Sequence, residues 1–183
     1  MPQDRMVLQN AVEMATHAHL GMWREGESQL PYITHPMEVM THLRYVGGVT
    51  DVDMLCAAAL HDTVEVESLT LAKIEKVFGP RVRGLVNELT RAEPTADQVQ
   101  NLTKDEIWKL RAHMLVDEIS RMSADAQQIK LADRLANVRD ARRTKSGKKL
   151  RRYFDQTRKI LEVVPRVRNK GLWDAINEEL KWD

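Results

Sequence analysis

The sequence has little of what marks secreted or membrane proteins. Its single cysteine, Cys56, excludes a disulfide within the chain and fits a reducing compartment. Cys56 lies in the apolar run 54–60, where we expect a small buried side chain. No stretch approaches the roughly 20 apolar residues of a membrane span, and the beginning of the chain lacks the basic and apolar regions of a secretion signal. We therefore expect a cytoplasmic protein that binds no membrane.

An excess of charge of one sign is missing as well. The 28 Lys and Arg residues balance 27 Asp and Glu residues, so no overall field favours nucleic acid. Residues 139–152 are a local exception, with eight Lys or Arg and one Asp. A solvated helix end and loop explains this basic segment, and the alternative is steering of a polyanionic substrate. With 183 residues, the chain is long enough for one domain with its own core, and we expect residues 1–183 to form one domain.

The spacing of apolar residues is helical throughout, with no alternating strand and no internal repeat. It predicts an all-α fold. The expected elements are a first helix ending near Arg24, a loop at 25–31, a helix from Thr34 or His35 to Gly47, an apolar helix from Asp51 or Asp53 to Val64, two helices meeting at Gly79-Pro80, a polar connector at 92–101, and helices beginning at Thr103, Ser123, Lys148 and Gly171.

Residues that commonly bind divalent metals occur in three short motifs. His35 follows Tyr32-Ile33-Thr34 and precedes Pro36, His61-Asp62 ends the apolar run, and Asp133 lies in Lys130-Leu131-Ala132-Asp133. Burying such groups costs several kcal/mol unless they are paired or bind a metal. Two imidazoles and two carboxylates suit Mn²⁺, with other divalent ions possible. The alternatives are a buried salt-bridge cluster and, for Asp133, an ion pair with Lys130.

Glu65 is the candidate catalytic base. It follows His61 by four residues and Asp62 by three, so a continuous helix would place it on the same face as both. A carboxylate beside a metal site is suited to take a proton from an attacking water. The remaining histidines 17, 19, 42 and 113 show no ligand spacing, and we expect them to be structural or exposed.

These motifs resemble the small alarmone hydrolases, relatives of the RelA/SpoT-type (p)ppGpp hydrolase domain in the HD superfamily of metal-dependent phosphohydrolases. The matching segments are Ala15–Arg24, Pro31–Pro36, Ala58–Glu65, Phe78-Gly79, Lys130–Asn137 and Tyr153. The resemblance implies an HD-domain helical bundle that binds one Mn²⁺ through His35, His61, Asp62 and Asp133. It implies removal of the 3′-pyrophosphate from guanosine or adenosine alarmones, and possible removal of a 3′-phosphate from NADPH.

The same resemblance implies a set of substrate-binding residues. Arg24, Asn137 and Tyr153 match residues that hold the nucleotide, and Lys130 shares a face with Asp133 and Asn137. Lys109 and Arg111 fall roughly where relatives bring a basic residue to the pyrophosphate.

The chain departs from the family at one position of the predicted site. Relatives usually have Glu-Asp after the His-Asp motif, where this chain has Glu65-Val66. A second hypothesis is therefore a weakly active or inactive nucleotide-binding protein. A third is another HD phosphohydrolase, acting on deoxynucleoside monophosphates or cyclic nucleotides, which explains the metal ligands but not Arg24 and Asn137.

Overall fold

The computed structural model describes residues 2–24, 30–66 and 69–181, with side chains from residue 4 onward. Within this part of the chain there are nine α-helices and no strand, apart from one bridge between Trp23 and Pro31. The helices are α1 (Pro2–Ala18), α2 (Thr34–Thr41), α3 (Val52–Leu60), α4 (Leu71–Leu89), α5 (Ala96–Val99), α6 (Lys104–Arg121), α7 (Ala124–Thr144), α8 (Gly147–Val163) and α9 (Lys170–Glu179). The predicted all-α class is confirmed.

Two helices form the centre of the fold. Helix α3 is buried from Met54 to Leu60 and packs against α1, α2, α4 and α7. Helix α7 packs against α2, α3, α4, α8 and α9. Both begin with a side-chain cap, because Asp51 accepts from the Met54 N–H and Ser123 accepts from the Ala126 N–H. Their central position explains how polar residues at the end of α3 and within α7 become buried.

Two predicted helix ends are wrong, and both errors lie next to the predicted site. Helix α1 ends at Ala18 rather than near Arg24, because the chain turns at Gly21, whose φ of 78° is in the left-handed region. Helix α3 ends at Leu60 rather than Val64, and residues 61–66 form turns. The side chain of Thr63 donates to the Leu60 carbonyl at 2.8 Å, which competes with the helical hydrogen bond there.

Several other expected boundaries agree with the structure, although the helix that was expected to reach Gly47 ends at Thr41 and is followed by a π-helical segment, His42–Val46. Helix α4 is broken at Gly79, with Pro80 beginning its second half. Helix α6 begins next to Thr103 as predicted, and Thr103 and Glu106 form a capping box there. The polar connector contains the short helix α5, which was not predicted. The predicted loop at 25–31 lies mostly outside the described residues. In the described part of the chain, no helix combines the length and the apolar character needed to cross a membrane.

Candidate active site

Three separate segments bring the predicted metal ligands together. His35 is near the start of α2, His61 and Asp62 follow the end of α3, and Asp133 is in the middle of α7. One ligand atom from each of His35, His61 and Asp62 lies within 4.8 Å of the others. Asp133 Oδ1 lies 3.3 Å from His35 Nε2 and 3.9 Å from His61 Nε2. All four side chains are buried.

The orientation of His61 fits a bound cation. Its Nδ1–H donates to the Ala58 carbonyl at 2.9 Å, which leaves Nε2 with a lone pair in the neutral ring. Nε2 faces Asp62 Oδ2 and Asp133 Oδ1, each at 3.9 Å. Neither oxygen of Asp62 has a well-formed hydrogen bond to a described residue. An unprotonated imidazole nitrogen that faces buried carboxylates is suited to bind a divalent cation, so the residues present fit a metal.

The electrostatics keep both aspartates ionised. Burial alone would raise the pKa of Asp62, but the imidazoles of His61, His19 and His35 hold it below its ordinary value. Burial would also raise the pKa of Asp133, but Lys130 and the two predicted histidine ligands hold it well below its ordinary value. Two carboxylates that stay charged in a buried position are competent metal ligands.

Asp133 has two further partners on its own helix. Its Oδ2 pairs with Lys130 Nζ at 2.9 Å, and its Oδ1 accepts from the Asn137 amide. The ion pair that the sequence offered as an alternative to metal binding is therefore present. It is compatible with a metal, because Lys130 contacts Oδ2 while the histidines face Oδ1.

A cavity of about 250 Å³ opens beside these side chains. Glu65, Lys130, Asn137 and Tyr153, which were predicted as catalytic or substrate-binding residues, all line it. The argument that placed Glu65 there is wrong, because α3 ends before His61 and no helical face connects the two residues. Glu65 instead reaches the cavity from a turn, where its Oε1 accepts from the Arg91 backbone N–H at 2.8 Å.

Arg24 occupies a different position. Its guanidinium pairs with Glu38 at 3.1 Å and with Asp140 at 3.4 Å, and it is not among the described residues that line the cavity. Asp140 is two turns beyond Asp133 on α7, so Arg24 lies farther along the same helix. Lys109 and Arg111 also lie outside the described lining.

The sequence analysis missed a histidine that contacts the metal ligands. His19 is 2 % exposed, and its Nε2 lies 3.3 Å from Asp62 Oδ1. Its Nδ1–H donates to the Ala15 carbonyl at 2.8 Å. The ring of Tyr32 lies beside it, with centroids 4.9 Å apart, and Tyr32 also lines the cavity. No spacing rule identifies His19, because its partner is 43 residues away in sequence and adjacent only after folding.

Three further polar residues line the cavity without having been predicted: Arg91, Arg134 and Gln156. Arg134 is 4 % exposed, lies over the Tyr153 ring at 4.9 Å and donates to Gln156 at 3.2 Å. Burial raises the pKa of Tyr153, so its phenol stays protonated.

Part of the basic segment lines a second cavity of about 540 Å³. Tyr153 borders both cavities. Trp108 also lines the second cavity. Four cations of the basic segment line it as well: Lys145, Lys148, Lys149 and Arg152. Arg152 also pairs with Asp105 and lies over the Trp108 ring at 5.2 Å.

A His, His-Asp, Asp cluster within a helical bundle is the arrangement expected for the HD superfamily. The chain belongs to the HD domain family, which it matches over residues 11–164. The predicted family resemblance is confirmed.

Individual relatives are similar over nearly their full length. The chain is 34% identical over 182 residues to the guanosine-3′,5′-bis(diphosphate) 3′-pyrophosphohydrolase MESH1 of Mus musculus, covering 97% of this chain and 95% of the relative. The Homo sapiens protein of the same name is 33% identical over 185 residues, with 99% and 97% covered. A solved structure described as "A metazoan ortholog of SpoT hydrolyzes ppGpp and plays a role in starvation responses" matches with a TM-score of 0.80 and 30% identity, covering 96% of this chain and 94% of the other.

Proposed function

We propose that this protein is a metal-dependent hydrolase that removes the 3′-pyrophosphate from guanosine or adenosine alarmones such as (p)ppGpp and ppApp. The observation that carries this proposal is the convergence of two imidazole nitrogens and two ionised carboxylates beside a cavity of about 250 Å³. Relatives that match over nearly their whole length are named as 3′-pyrophosphohydrolases. Residues 1–183 act as one domain, in the cytoplasm.

His35, His61, Asp62 and Asp133 would hold one divalent cation. Their mixed nitrogen and oxygen atoms favour Mn²⁺, and Zn²⁺, Fe²⁺ and Co²⁺ are compatible. When bound, the cation supplies a Lewis acid for the phosphate ester and acidifies water.

Glu65 acts as the general base. Its Oε1 is occupied by the Arg91 N–H, which leaves Oε2 to accept the proton of the attacking water. The Asn137 amide bonds to Asp133 and lies on the cavity wall, where it can also contact the sugar or a phosphate. Lys130 and the Tyr153 phenol supply a positive charge and a hydrogen-bond donor to the substrate.

Arg24 would contact the nucleotide only if its guanidinium exchanged Glu38 or Asp140 for the substrate. Its role as a substrate ligand is therefore the part of the proposal that requires movement.

The inactive nucleotide-binding protein is the less favoured hypothesis. Val66 supports this hypothesis, because relatives usually have a second carboxylate at this position. Against it, Glu65 lines the cavity and all four predicted ligands converge. Glu67, the other acidic residue in this stretch, lies outside the described residues.

The deciding experiment incubates the Mn²⁺-loaded protein with ppGpp, ppApp, NADPH and deoxynucleoside monophosphates, and identifies the products. Release of pyrophosphate from ppGpp or ppApp is expected, with none in the presence of a chelator. A metal-loaded protein inactive on every nucleotide would establish the binding protein instead. His61→Ala and Asp133→Ala should each lower bound metal, and full occupancy in both would refute the ligand assignment.

A further inference from the structure

Arg91 lies just before the polar connector and is anchored by its backbone. Its N–H donates to Glu65 Oε1 at 2.8 Å. The next residue, Ala92, directs its N–H at Glu118 of α6. Burial raises the pKa of Glu118, and that N–H together with the charges of Arg91, Lys130 and Arg121 opposes the increase. The Arg91 backbone is thus tied to the turn that carries Glu65, and the Arg91 side chain begins at a defined point on the cavity wall.

The Arg91 guanidinium is weakly engaged in comparison with the other cations of this cavity. Lys130 is bound by Asp133 at 2.9 Å, and Arg134 is almost fully buried against Tyr153 and Gln156. Among the described residues, the ion pair of the Arg91 guanidinium is with Glu93, whose Oε1 lies 3.9 Å from Nε, too far for a hydrogen bond. The Arg91 charge also acts on the Glu118 carboxylate, with no ion pair between these two described side chains.

Glu93 itself is satisfied by another residue. Arg111 Nη2 lies 2.8 Å from Glu93 Oε2, so this carboxylate has a closer cation than Arg91. The Arg91 side chain is 32% exposed and can exchange its distant partner for a ligand at small cost. Its five N–H donors in a planar fork match the oxygens of a phosphate.

The negative charge of the cavity also favours a cationic residue that binds the substrate. Asp62, Glu65 and Asp133 present carboxylates there, which repel a polyanionic substrate unless cations compensate for them. We propose that the Arg91 guanidinium binds the pyrophosphate group of the substrate beside Glu65, so that one residue both positions the base and holds the group that is removed. The identity of that group rests on the proposed function.

Binding of inorganic pyrophosphate tests this assignment without requiring turnover. Calorimetric titrations at one fixed concentration of free Mn²⁺ compare the parent protein with Arg91→Gln, Arg91→Lys and Arg121→Gln. Arg91→Gln retains the backbone N–H to Glu65 and removes only the guanidinium. It should weaken pyrophosphate binding about 10- to 100-fold, as expected for the loss of charge-assisted hydrogen bonds. Arg91→Lys keeps the positive charge but loses the planar fork of N–H donors, so its affinity for pyrophosphate should lie between those of the parent and Arg91→Gln.

Arg121→Gln is the matched control, because Arg121 is an exposed α6 residue that pairs with Asp117. It should bind pyrophosphate like the parent, and Mn²⁺ affinity should be unchanged in all three variants. If Arg91→Gln and Arg121→Gln weakened pyrophosphate binding equally, the effect would come from the overall charge of the protein, and the assignment would be overturned. Parent-like binding by Arg91→Gln would overturn it directly.

Kinetics on a hydrolysed alarmone provide a second measurement. Arg91→Gln should raise KM with little change in pyrophosphate-independent properties such as melting temperature and metal content. If no alarmone is hydrolysed by the parent protein, the proposed function fails, while the pyrophosphate titration still decides whether Arg91 is an anion-binding residue.

Discussion

Replacing Lys130 by Met should destabilise the metal-free protein strongly and the metal-bound protein much less. The Lys130–Asp133 ion pair is 2.9 Å long, and its side chains are only 11% and 8% exposed. Removing one partner of a buried pair costs about 3–5 kcal/mol, because the other charge stays buried without compensation. For a chain of this length, each kcal/mol lowers the melting temperature by roughly 2–4 °C, so the expected decrease is about 6–20 °C.

Bound metal should reduce the difference in melting temperature between the parent and Lys130→Met, because a cation held by Asp133 replaces the charge that Lys130 supplied. Equivalently, Lys130→Met should bind Mn²⁺ more tightly than the parent, since a competing positive charge is gone. The assay is thermal unfolding followed by circular dichroism, with chelator and with saturating Mn²⁺. Lys109→Met is the control, because Lys109 is 66% exposed and its loss should change stability by no more than about 0.5 kcal/mol. An equal decrease for Lys130→Met with and without metal would refute the reasoning.

The same variant has a defined pH dependence without metal. The pKa of Asp133 in the folded parent lies well below its ordinary 3.8, so its contribution to stability is fully present above about pH 4 and is lost as the pH falls through the folded value. Lys130→Met raises that folded pKa. The difference in stability between the two proteins should be largest near neutral pH and should close in acid.

Four other residues have defined expected outcomes. Glu65→Gln should abolish turnover, because general-base catalysis contributes about 10²–10⁴-fold to the rate. Val66→Asp should increase turnover, because it adds a carboxylate where relatives usually have one. A lower rate for Val66→Asp would show that the cavity is adapted to valine. Gly171→Ala would place its Cβ 2.2 Å from the Val46 carbonyl oxygen and should lower stability by about 1–3 kcal/mol in denaturant titrations. Burial raises the pKa of Cys56 to about 12, so the native protein should resist iodoacetamide at pH 8 while the unfolded chain reacts.

The residues of the candidate metal cluster could be predicted from the sequence, but their geometry could not. His35, His61, Asp62 and Asp133 occur in short motifs whose order resembles a known family, and the structure brings these four together. The face that was expected to carry Glu65 does not exist, because the hydroxyl of Thr63 competes for the carbonyl at the end of α3. An apolar run predicts a buried helix but not the residue at which local side-chain hydrogen bonds end it.

Residues placed by long-range contacts were the least predictable. His19 and Arg91 follow no local spacing, and each reaches the site through a partner far away in sequence, Asp62 and Glu65 respectively. Arg24 shows the limit of a local match. The match predicts a substrate contact, which stays a prediction, but it does not predict that Glu38 and Asp140 pair with the guanidinium in the folded chain.

The polar connector at 92–101 divides the candidate ligands unequally. His35, His61 and Asp62 precede it, whereas Asp133 follows it, and the connector residues are largely exposed. A chain cut there would leave three donors on one fragment and the fourth on the other. Reassociation of the two fragments would then bury the cluster and complete the coordination at the same moment. If these side chains hold a divalent cation, the two fragments should assemble more strongly with that cation than without it. The helical bundle would then be suited to metal-dependent fragment complementation.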